Sequence, residues 1–377
     1  MTDYGLGDSW RARNPSLREY SHISSAHRSS SRIDFFLISN SLIQQISENI
    51  IHSIIISDHA PVSLTLNTPV QKKSSTRWRF NTSLLEDLNF TSLVKREWAA
   101  FLEMNDSPDI SPSTLWETGK AVMRGIIISY SSHKKKQQQQ LENTLERKIK
   151  QLSNQQSTSP SEETQIELKQ LKTQLDSIIH KKTQFCIQQL KYDQSHLSNK
   201  AGKYLANMLQ YKRDKSLIPS ILDTSGKPTQ DPQEINNTFH QFYSSLYSPG
   251  SQPSQFEIDS FLNNLDLPSL TIDESNSLEQ PITPEELVKT IHSMPNDKSP
   301  GPDGLPAEFY KHFWDIFSPL FNRLLAEIQT TSNIPTHMNT ALITLFLKPN
   351  KDPTHPSSYR PLSLINRLKN YHKDIIN

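Results

Sequence analysis

Short apolar runs separated by polar turns fill the first part of the chain, and they predict a strand, a helix and two further strands over residues 32–66. The run from Arg32 to Ile38 has β-type character, and Ser39-Asn40-Ser41 after it is typical of a helix cap. A second apolar run covers residues 51–56. The alternation of apolar and polar residues over 62–66 then indicates a half-buried strand.

Leucine and isoleucine recur at helical spacing in two stretches between residues 134 and 190, on either side of a polar break that ends at Pro160. This pattern predicts an antiparallel helical hairpin. A solvated structural linker is the favoured interpretation, and a coil that mediates self-association is the alternative. The apolar positions are Leu141, Leu145, Ile149 and Leu152, then Leu168, Leu171, Leu175, Ile178 and Phe185.

Aromatic residues mark the expected cores on either side of this hairpin. Before it, we expect small helical packing anchored by Trp78, Phe80, Trp98, Phe101 and Trp116. After it, the spacing predicts one strongly apolar helix from Pro306, with a core of Phe309, Phe313, Phe317, Leu320, Leu324 and Ile328.

Turn and capping residues predict the remaining elements. Residues 218–222 and the turn over 223–227 form one side of a β-hairpin. Asp231 and Thr283 are each followed by proline and, three residues on, by glutamate, which predicts two helices that begin with a capping box. A second hairpin is expected from the runs ending at Lys348-Pro349 and beginning at Tyr359.

The composition predicts small separate cores joined by solvated helix, because only 34% of the 377 residues are hydrophobic. The formal net charge of +1 favours no class of partner, so any nucleic-acid signal must come from local clusters. The single cysteine, Cys186, excludes an internal disulfide and a cysteine-based zinc site. Without a secretory or long apolar segment, we expect an intracellular protein, cytoplasmic or nuclear, with no membrane partner.

Two short clusters near the N terminus, Ser31 to Asp34 and Ser57 to His59, carry candidate catalytic chemistry. A carboxylate that accepts a hydrogen bond from one ring nitrogen of a histidine fixes its tautomer and stabilises its charged form. Such a histidine can hold a scissile phosphate or move a proton for attack by water. Ser57-Asp58-His59 alone is more often a loop cap, but the earlier Asp34 cluster favours a catalytic pair.

Two further features predict contact with phosphates. The segment 295–306 packs Lys298, two glycines and four prolines into a tight loop whose backbone can approach a polyanion, with an ordinary turn-rich connection as the alternative. Lys348 and Arg360 end facing strands of the second hairpin, so both can reach one anion. Solubility charges at strand ends are the alternative there.

A basic cluster lies over residues 200–215, with Tyr204 and Tyr211 interleaved among its cations. Such a mixture predicts contact with an RNA or DNA backbone, and a solvated helix face is the alternative. The cations are Lys200, Lys203, Lys212, Arg213 and Lys215.

Residues 8–66 resemble the C-terminal third of the endonuclease/exonuclease/phosphatase domain in the form found in LINE retrotransposons. The matching stretches are Asp8 to Arg11, Glu19 to Ser21, Ser31 to Asp34 and Ser57 to Val62. The resemblance implies that His59 is the catalytic histidine, Asp34 its carboxylate partner and Asp58 an acid that organises metal or water. It also implies phosphate contacts for Ser57 and Ser21, although the family more often has threonine in place of Ser21.

Residues 75–366 resemble the start of a LINE-type reverse transcriptase in the order and spacing of their motifs. Lys298 to Gly304 is similar to its first finger motif, and Leu347-Lys348-Pro349 with Tyr359 to Asn366 is similar to its second. Phe239 to Tyr247 resembles the N-terminal extension of these enzymes. The resemblance implies that Lys348 and Arg360 hold the triphosphate of the incoming nucleotide and that Lys298 lies near template or nucleotide.

Both resemblances imply Mg²⁺ as cofactor and RNA and DNA as partners. The asparagine and glutamate that bind magnesium in the nuclease family have no match here, and the sequence contains no Asp-Asp pair like that of a polymerase palm. We therefore expect a truncated fragment that is inactive alone and retains nucleic-acid binding. The alternatives are an active enzyme completed in trans by another copy, and a helical scaffold or interaction protein.

The resemblance implies an α+β fold in three parts. Residues 1–67 are expected to form the C-terminal part of the endonuclease/exonuclease/phosphatase sandwich. Residues 68–199 are expected to form a helical linker with an antiparallel hairpin. Residues 200–377 are expected to form the extension and fingers of a reverse transcriptase without its palm.

Overall fold

The computed structural model describes residues 5–24, 29–55, 57–67, 77–190, 206–208, 210–211, 217–248, 250, 253–265, 270–278, 280 and 282–366. Helices and small two-stranded sheets alternate along these residues, which confirms the α+β class. None of the helices in these ranges combines the length and the apolar character needed to cross a bilayer.

The elements follow one another in the described ranges. The strands are β1 (Leu6–Asp8), β2 (His22–Ser24), β3 (Ser29–Ser31), β4 (Leu37–Ser39), β5 (Ile46–Ile51), β6 (Val62–Leu66), β7 (Ile221–Leu222), β8 (Pro228–Thr229), β9 (Ala341–Leu347) and β10 (Tyr359–Ile365). The helices are α1 (Ser9–Arg13), α2 (Leu88–Asn105), α3 (Pro112–Thr158), α4 (Glu162–Leu190), α5 (Pro232–Leu246), α6 (Gln255–Asn263), α7 (Ile272–Leu278), α8 (Pro284–Ser293), α9 (Ala307–His312), α10 (Trp314–Thr331) and α11 (Thr336–Asn339).

Contacts divide the chain into two compact units, residues 1–75 with 132–216 and residues 76–131 with 217–377. In the first unit, β1 pairs with β4, β2 with β3 and β5 with β6, each antiparallel. A small core of Trp10, Ile51 and Ala60 lies beside these ladders. Asp8 caps α1 by accepting from the N–H groups of Trp10 and Arg11, and this cap orients Trp10 toward the core.

Two strands predicted in this unit lie elsewhere. The run from Arg32 to Ile38 enters a ladder only near its end, in β4, because the N–H groups of Ile33 and Asp34 donate to the side chain of Ser21 instead of a strand. In place of the strand predicted over 51–56, the structure has β5, which begins at Ile46 and ends at Ile51. Beyond it the N–H of His52 donates to the carbonyl of Pro61, and a proline cannot return a ladder hydrogen bond.

The helix predicted after Ser39 is a 3-10 helix and not an α-helix. Residues Asn40–Gln45 form a 3-10 helix, and the side chain of Ser39 makes no capping hydrogen bond. A short 3-10 turn is the geometry that fits between β4 and β5, since only six residues connect the two strands.

The second part of α3 and the helix α4 lie antiparallel in the first unit. Leu145, Ile149 and Leu175 are buried against one another, and Lys182 contacts Glu142 at 2.6 Å. The stripes of apolar residues on the two helices therefore face each other within one chain. Ile55 packs against the same cluster, and Lys150 contacts Glu19 at 2.6 Å, so this helix pair supports the strands of its own unit.

Aromatic residues build the core of the second unit. The indole N–H of Trp98 donates to the carbonyl of Ile316 at 2.8 Å, and its ring meets Phe317 edge-on at 4.5 Å. Trp116 contacts Phe321 with ring centroids 5.3 Å apart. Residues of α2 and the first part of α3 thus share one core with α9 and α10. The predicted anchors and the six predicted core positions after Pro306 are all buried except Trp78, which is partly buried.

The apolar helix predicted from Pro306 consists of two helices. The backbone at Phe313 has φ −112° and ψ 18°, which separates α9 from α10. The capping box at Thr283 is confirmed, with reciprocal hydrogen bonds between Thr283 and Glu286. Asp231 also caps its helix, but the carboxylate of Glu234 accepts from the hydroxyl of Thr229 rather than from the cap backbone.

Both predicted hairpins are present in the second unit. In the first, Ile221 pairs with Thr229 around the turn. In the second, β9 and β10 pair over their full length, from Leu347 opposite Tyr359 to Ala341 opposite Ile365. Helix α5 covers one face of the second hairpin, since Phe239 meets Tyr359 edge-on at 5.1 Å.

The glycines of the 295–306 loop allow close internal packing. A Cβ at Gly301 would lie 2.3 Å from the backbone nitrogen of Asn366, and a Cβ at Gly304 would lie 2.6 Å from the ring of Trp78. The N–H of Phe80 donates to the carbonyl of Gly304 at 3.0 Å. The loop therefore uses these two glycines to approach other parts of the chain, and approach of its backbone to a polyanion stays a prediction.

We expect Gly304→Ala to destabilise the second unit strongly. Its φ of +78° adds about 1–2 kcal/mol of backbone strain, and the contact with Trp78 adds roughly 1–3 kcal/mol of overpacking. Urea unfolding followed by tryptophan fluorescence measures the change. Gly226→Ala is the matched control, because its φ is +79° but nothing lies within 4 Å of the added Cβ. An equal loss of unfolding free energy in the two variants would contradict a role for the close approach of Gly304 to Trp78.

Candidate functional site

The structure brings Asp34 and His59 together in the first unit. Nδ1 of His59 lies 2.8 Å from a carboxylate oxygen of Asp34. The two residues are 25 positions apart in sequence, so the contact depends on the fold rather than on a local turn. The side chain of His59 is 42% exposed, which leaves it accessible to a ligand.

Backbone hydrogen bonds position this pair. The N–H of Ala60 donates to the carbonyl of Ser21 at 2.6 Å, and the N–H of Ile23 donates to the carbonyl of Asp58 at 3.1 Å. His22 and His59 consequently form an isolated antiparallel bridge. The segment that carries Ser57-Asp58-His59 is thereby fixed beside β2 by its main chain.

Ser21 and Ser57 differ in what their hydroxyl groups do. Ser21 is fully buried, and its oxygen accepts from the N–H groups of Ile33 and Asp34 at 3.1 and 2.9 Å. It therefore positions the loop that carries Asp34. Ser57 is exposed, and its hydroxyl donates to Asp58 at 3.0 Å and accepts from the N–H of His59. Phosphate contacts by either serine stay predictions.

Hydrogen bonding keeps both carboxylates of the site acidic. The hydrogen bond from His59 is the main cause that lowers the pKa of Asp34, and the hydroxyl of Ser21 lowers it further. The hydroxyl of Ser57 is the main cause that lowers the pKa of Asp58. Both groups are therefore ionised at neutral pH, and each can orient or attract a cationic partner.

His22 joins the site, and the sequence analysis missed it. Its Nε2 lies 3.5 Å from Asp58, and its ring centroid lies 4.6 Å from that of His59. Its place directly after Ser21 was visible in the sequence, but the bridge to His59 was not. Two of the three potential ligands are thus imidazoles, whereas Mg²⁺ prefers oxygen ligands. This cluster by itself does not fit the magnesium site that the resemblance implies.

In the second unit, Lys348 and Arg360 share the outer face of the β9/β10 hairpin. Arg360 lies opposite Phe346, and Lys348 is two residues beyond Phe346, so strand alternation directs both cations away from the face that carries Tyr359. Arg360 is exposed. Nζ of Lys348 donates to the carbonyl of Ser357 at 2.8 Å. Arg360 is therefore the more available of the two cations.

Lys298 is exposed but lies near the other end of this hairpin. Its loop contacts Asn366 through Gly301, and Asn366 directly follows the last residue of β10. Five residue steps separate Arg360 from Ile365, which corresponds to roughly 17 Å along a strand. The structure therefore does not bring Lys298 together with Lys348 and Arg360 at one anion.

A buried charged cluster under the 295–306 loop was also missed by the sequence analysis. Asp303 accepts from the hydroxyl of Tyr310 at 3.3 Å and lies 4.0 Å from the ammonium of Lys120. Lys120 in turn contacts Glu117 at 2.8 Å. Burial raises the pKa of Asp303, and burial together with the charge of Asp303 raises the pKa of Tyr310. This cluster holds the loop against α3 and α9.

The basic cluster over 200–215 lies largely outside the described residues. Lys200, Lys203, Lys212, Arg213 and Lys215 are all outside them. Their contact with a nucleic-acid backbone stays a prediction.

We expect His59→Ala to raise the pKa of Asp34 toward its ordinary value, because the variant removes the hydrogen bond that lowers it most. Titration of the side-chain carboxyl carbon by NMR measures this change. The stability that Asp34 contributes in the native protein is present above the pKa of the unfolded state and is lost as pH falls through the folded pKa. His52→Ala is the control, and an unchanged Asp34 titration in His59→Ala would contradict the pairing.

No protein-family model matches the chain. A similar protein is the transposon TX1 uncharacterized 149 kDa protein of Xenopus laevis, which is 27% identical over 368 residues. The similarity covers 97% of this chain and 28% of that protein, so the chain spans little more than a quarter of its relative. It supports a retrotransposon-derived polyprotein as the origin of the chain.

Proposed function

We propose that this chain is a nucleic-acid-binding part of a LINE-type retrotransposon protein. In this proposal residues 1–67 derive from a nicking endonuclease, residues 68–199 from a helical linker and residues 200–377 from the extension and fingers of a reverse transcriptase. The observation that carries the proposal is the 2.8 Å contact between His59 and Asp34, because the resemblance to the endonuclease family requires these two residues to meet.

In the endonuclease-derived part, the charged form of His59 donates to the scissile phosphate, and Asp34 orients its ring and stabilises that charge. With Nδ1 of His59 engaged by Asp34, Nε2 is the ring atom that remains for a phosphate oxygen. Ser57 is exposed beside it, and its hydroxyl reaches a phosphate oxygen if it turns away from Asp58, to which it donates in the structure. Ser21 acts through Asp34 as a positioning residue, because its hydroxyl is occupied by backbone N–H groups.

In the polymerase-derived part, the outer face of the β9/β10 hairpin binds phosphates. Arg360 supplies a planar fork of donors and Lys348 a compact charge. Phe346 is 54% exposed opposite Arg360, and it offers an aromatic surface next to these cations. Cations combined with exposed aromatic rings are typical of surfaces that bind single-stranded nucleic acid.

We expect Arg360→Ala to weaken binding of single-stranded RNA or DNA to the full chain. Loss of one phosphate contact lowers the magnitude of the salt slope, d log K/d log [salt], by about 0.7. Lys348→Ala lowers it less, because its ammonium also binds the carbonyl of Ser357. Fluorescence anisotropy over a salt series measures both effects. Lys289→Ala on α8 removes the same charge from an exposed helix position and serves as the control. An equal change of the salt slope in Lys289→Ala would mean that binding depends only on net charge, and it would contradict a specific phosphate contact by Arg360.

We expect the purified chain to leave supercoiled DNA intact in Mg²⁺. The resemblance assigns magnesium binding to an asparagine and a glutamate without a match here, and the cluster of His22, Asp58 and His59 offers only one carboxylate ligand. Conversion of plasmid to the open circular form measures nicking, with His59→Ala as the comparison. Mg²⁺-dependent nicking that disappears in His59→Ala would favour the alternative of an active enzyme.

A further inference from the structure

Three potential metal ligands meet at the edge of β2. His22, Asp58 and His59 each offer one ligand atom, and these atoms all lie within 4.8 Å of one another. Main-chain hydrogen bonds join the two segments that carry them, from Ile23 to Asp58 and from Ala60 to Ser21. The proximity of the three side chains is therefore built into the backbone.

The donor set determines which ions suit this cluster. Two imidazoles and one carboxylate are typical ligands of zinc and related divalent transition ions, whereas magnesium prefers oxygen. Open zinc sites commonly combine three protein ligands of this kind with water in the fourth position. The side chain of Asp58 is 67% exposed and that of His59 is 42% exposed, so a water ligand has access.

Asp34 supplies a second, independent feature of a metal site. A histidine that binds a metal through one ring nitrogen usually donates the other N–H to a carboxylate or carbonyl. Nδ1 of His59 makes this contact with Asp34 at 2.8 Å, which leaves Nε2 for an ion. The main chain of Asp34 is itself held in place, because its N–H donates to the buried hydroxyl of Ser21.

Only a small rearrangement is needed to close the cluster around an ion. Ligand atoms bound to one zinc at about 2.0–2.2 Å lie roughly 3.4 Å apart in a tetrahedron. Nε2 of His22 already lies 3.5 Å from Asp58. The ligand atoms of all three residues lie within 4.8 Å of one another. Rotation of the exposed side chain of Asp58 would bring its carboxylate toward the imidazoles, while His59 keeps its contact with Asp34.

We propose that His22, Asp58 and His59 form a binding site for a divalent transition ion of the zinc class, with Asp34 as the residue that positions His59. The site selects this class of ion over Mg²⁺. It overlaps the residues of the proposed function but does not rest on it, because binding of the ion requires no nucleic acid.

Cobalt absorption and zinc calorimetry on the full chain test the proposal. In a Cys186→Ala background, which removes the single thiol, we expect one equivalent of Co²⁺ to give the visible bands of a nitrogen- and oxygen-ligated site. Zn²⁺ displaces the cobalt and raises the melting temperature of the first unit. A large molar excess of Mg²⁺ leaves the bands in place. Loss of the bands in Mg²⁺ would overturn the selectivity.

Ligand variants identify the residues. We expect His22→Ala and Asp58→Asn each to weaken Zn²⁺ binding at least about tenfold, and Asp34→Asn to weaken it about 10–100-fold through His59. Asp58 is exposed, so Asp58→Asn keeps the test valid if His22→Ala does not fold. His52→Ala removes a histidine of the same unit outside the cluster and should change affinity less than twofold. Equal loss in His52→Ala, or wild-type affinity in Asp58→Asn, would overturn the proposal.

Discussion

Two backbone hydrogen bonds, from Ile23 to Asp58 and from Ala60 to Ser21, set the geometry of the N-terminal site. They bring the main chain of His59 beside that of His22, so both rings start from neighbouring positions. The buried hydroxyl of Ser21 extends the restraint to the loop of Asp34. Because the main chain is held in this way, the side chains of Asp58 and His59 can stay exposed to a ligand without losing their relative placement.

Close backbone approach has the same importance in the second unit. Glycine loses more conformational freedom on folding than other residues, and at 301 and 304 this cost is offset by close contacts that a Cβ would prevent. Here the loop meets Asn366 and Trp78, and it buries Asp303 beside Lys120. These contacts use the two glycines and Asp303 for packing within the chain. Lys298 on the same loop stays exposed to a ligand.

Residue type and spacing within short segments predicted the helix cap, the hairpin and the buried positions of the apolar helices. The cap at Thr283, the hairpin over β9 and β10 and the buried phenylalanines of α9 and α10 all follow from residue type and spacing. The sequence could not predict that Trp98 packs on Phe317, since that contact joins segments more than 200 residues apart. It misplaced the strand at 51–56 because Pro61, directly before the partner strand β6, limits the ladder. It paired Asp34 with His59 but missed His22, whose role depends on a single long-range bridge.

His59 can bind a phosphate or a metal through Nε2, but not both at the same time. Contact with a phosphate oxygen uses Nε2 as a hydrogen-bond donor, whereas a metal needs the lone pair of the same atom. Asp34 supports both states, because it accepts from Nδ1 in either case. A divalent ion held by His22, Asp58 and His59 would take the place of the proton on Nε2, and its charge would then be what attracts a phosphate. The proposed phosphate contact and the proposed ion site therefore exclude each other at Nε2, and the presence of the ion would decide which of them His59 makes.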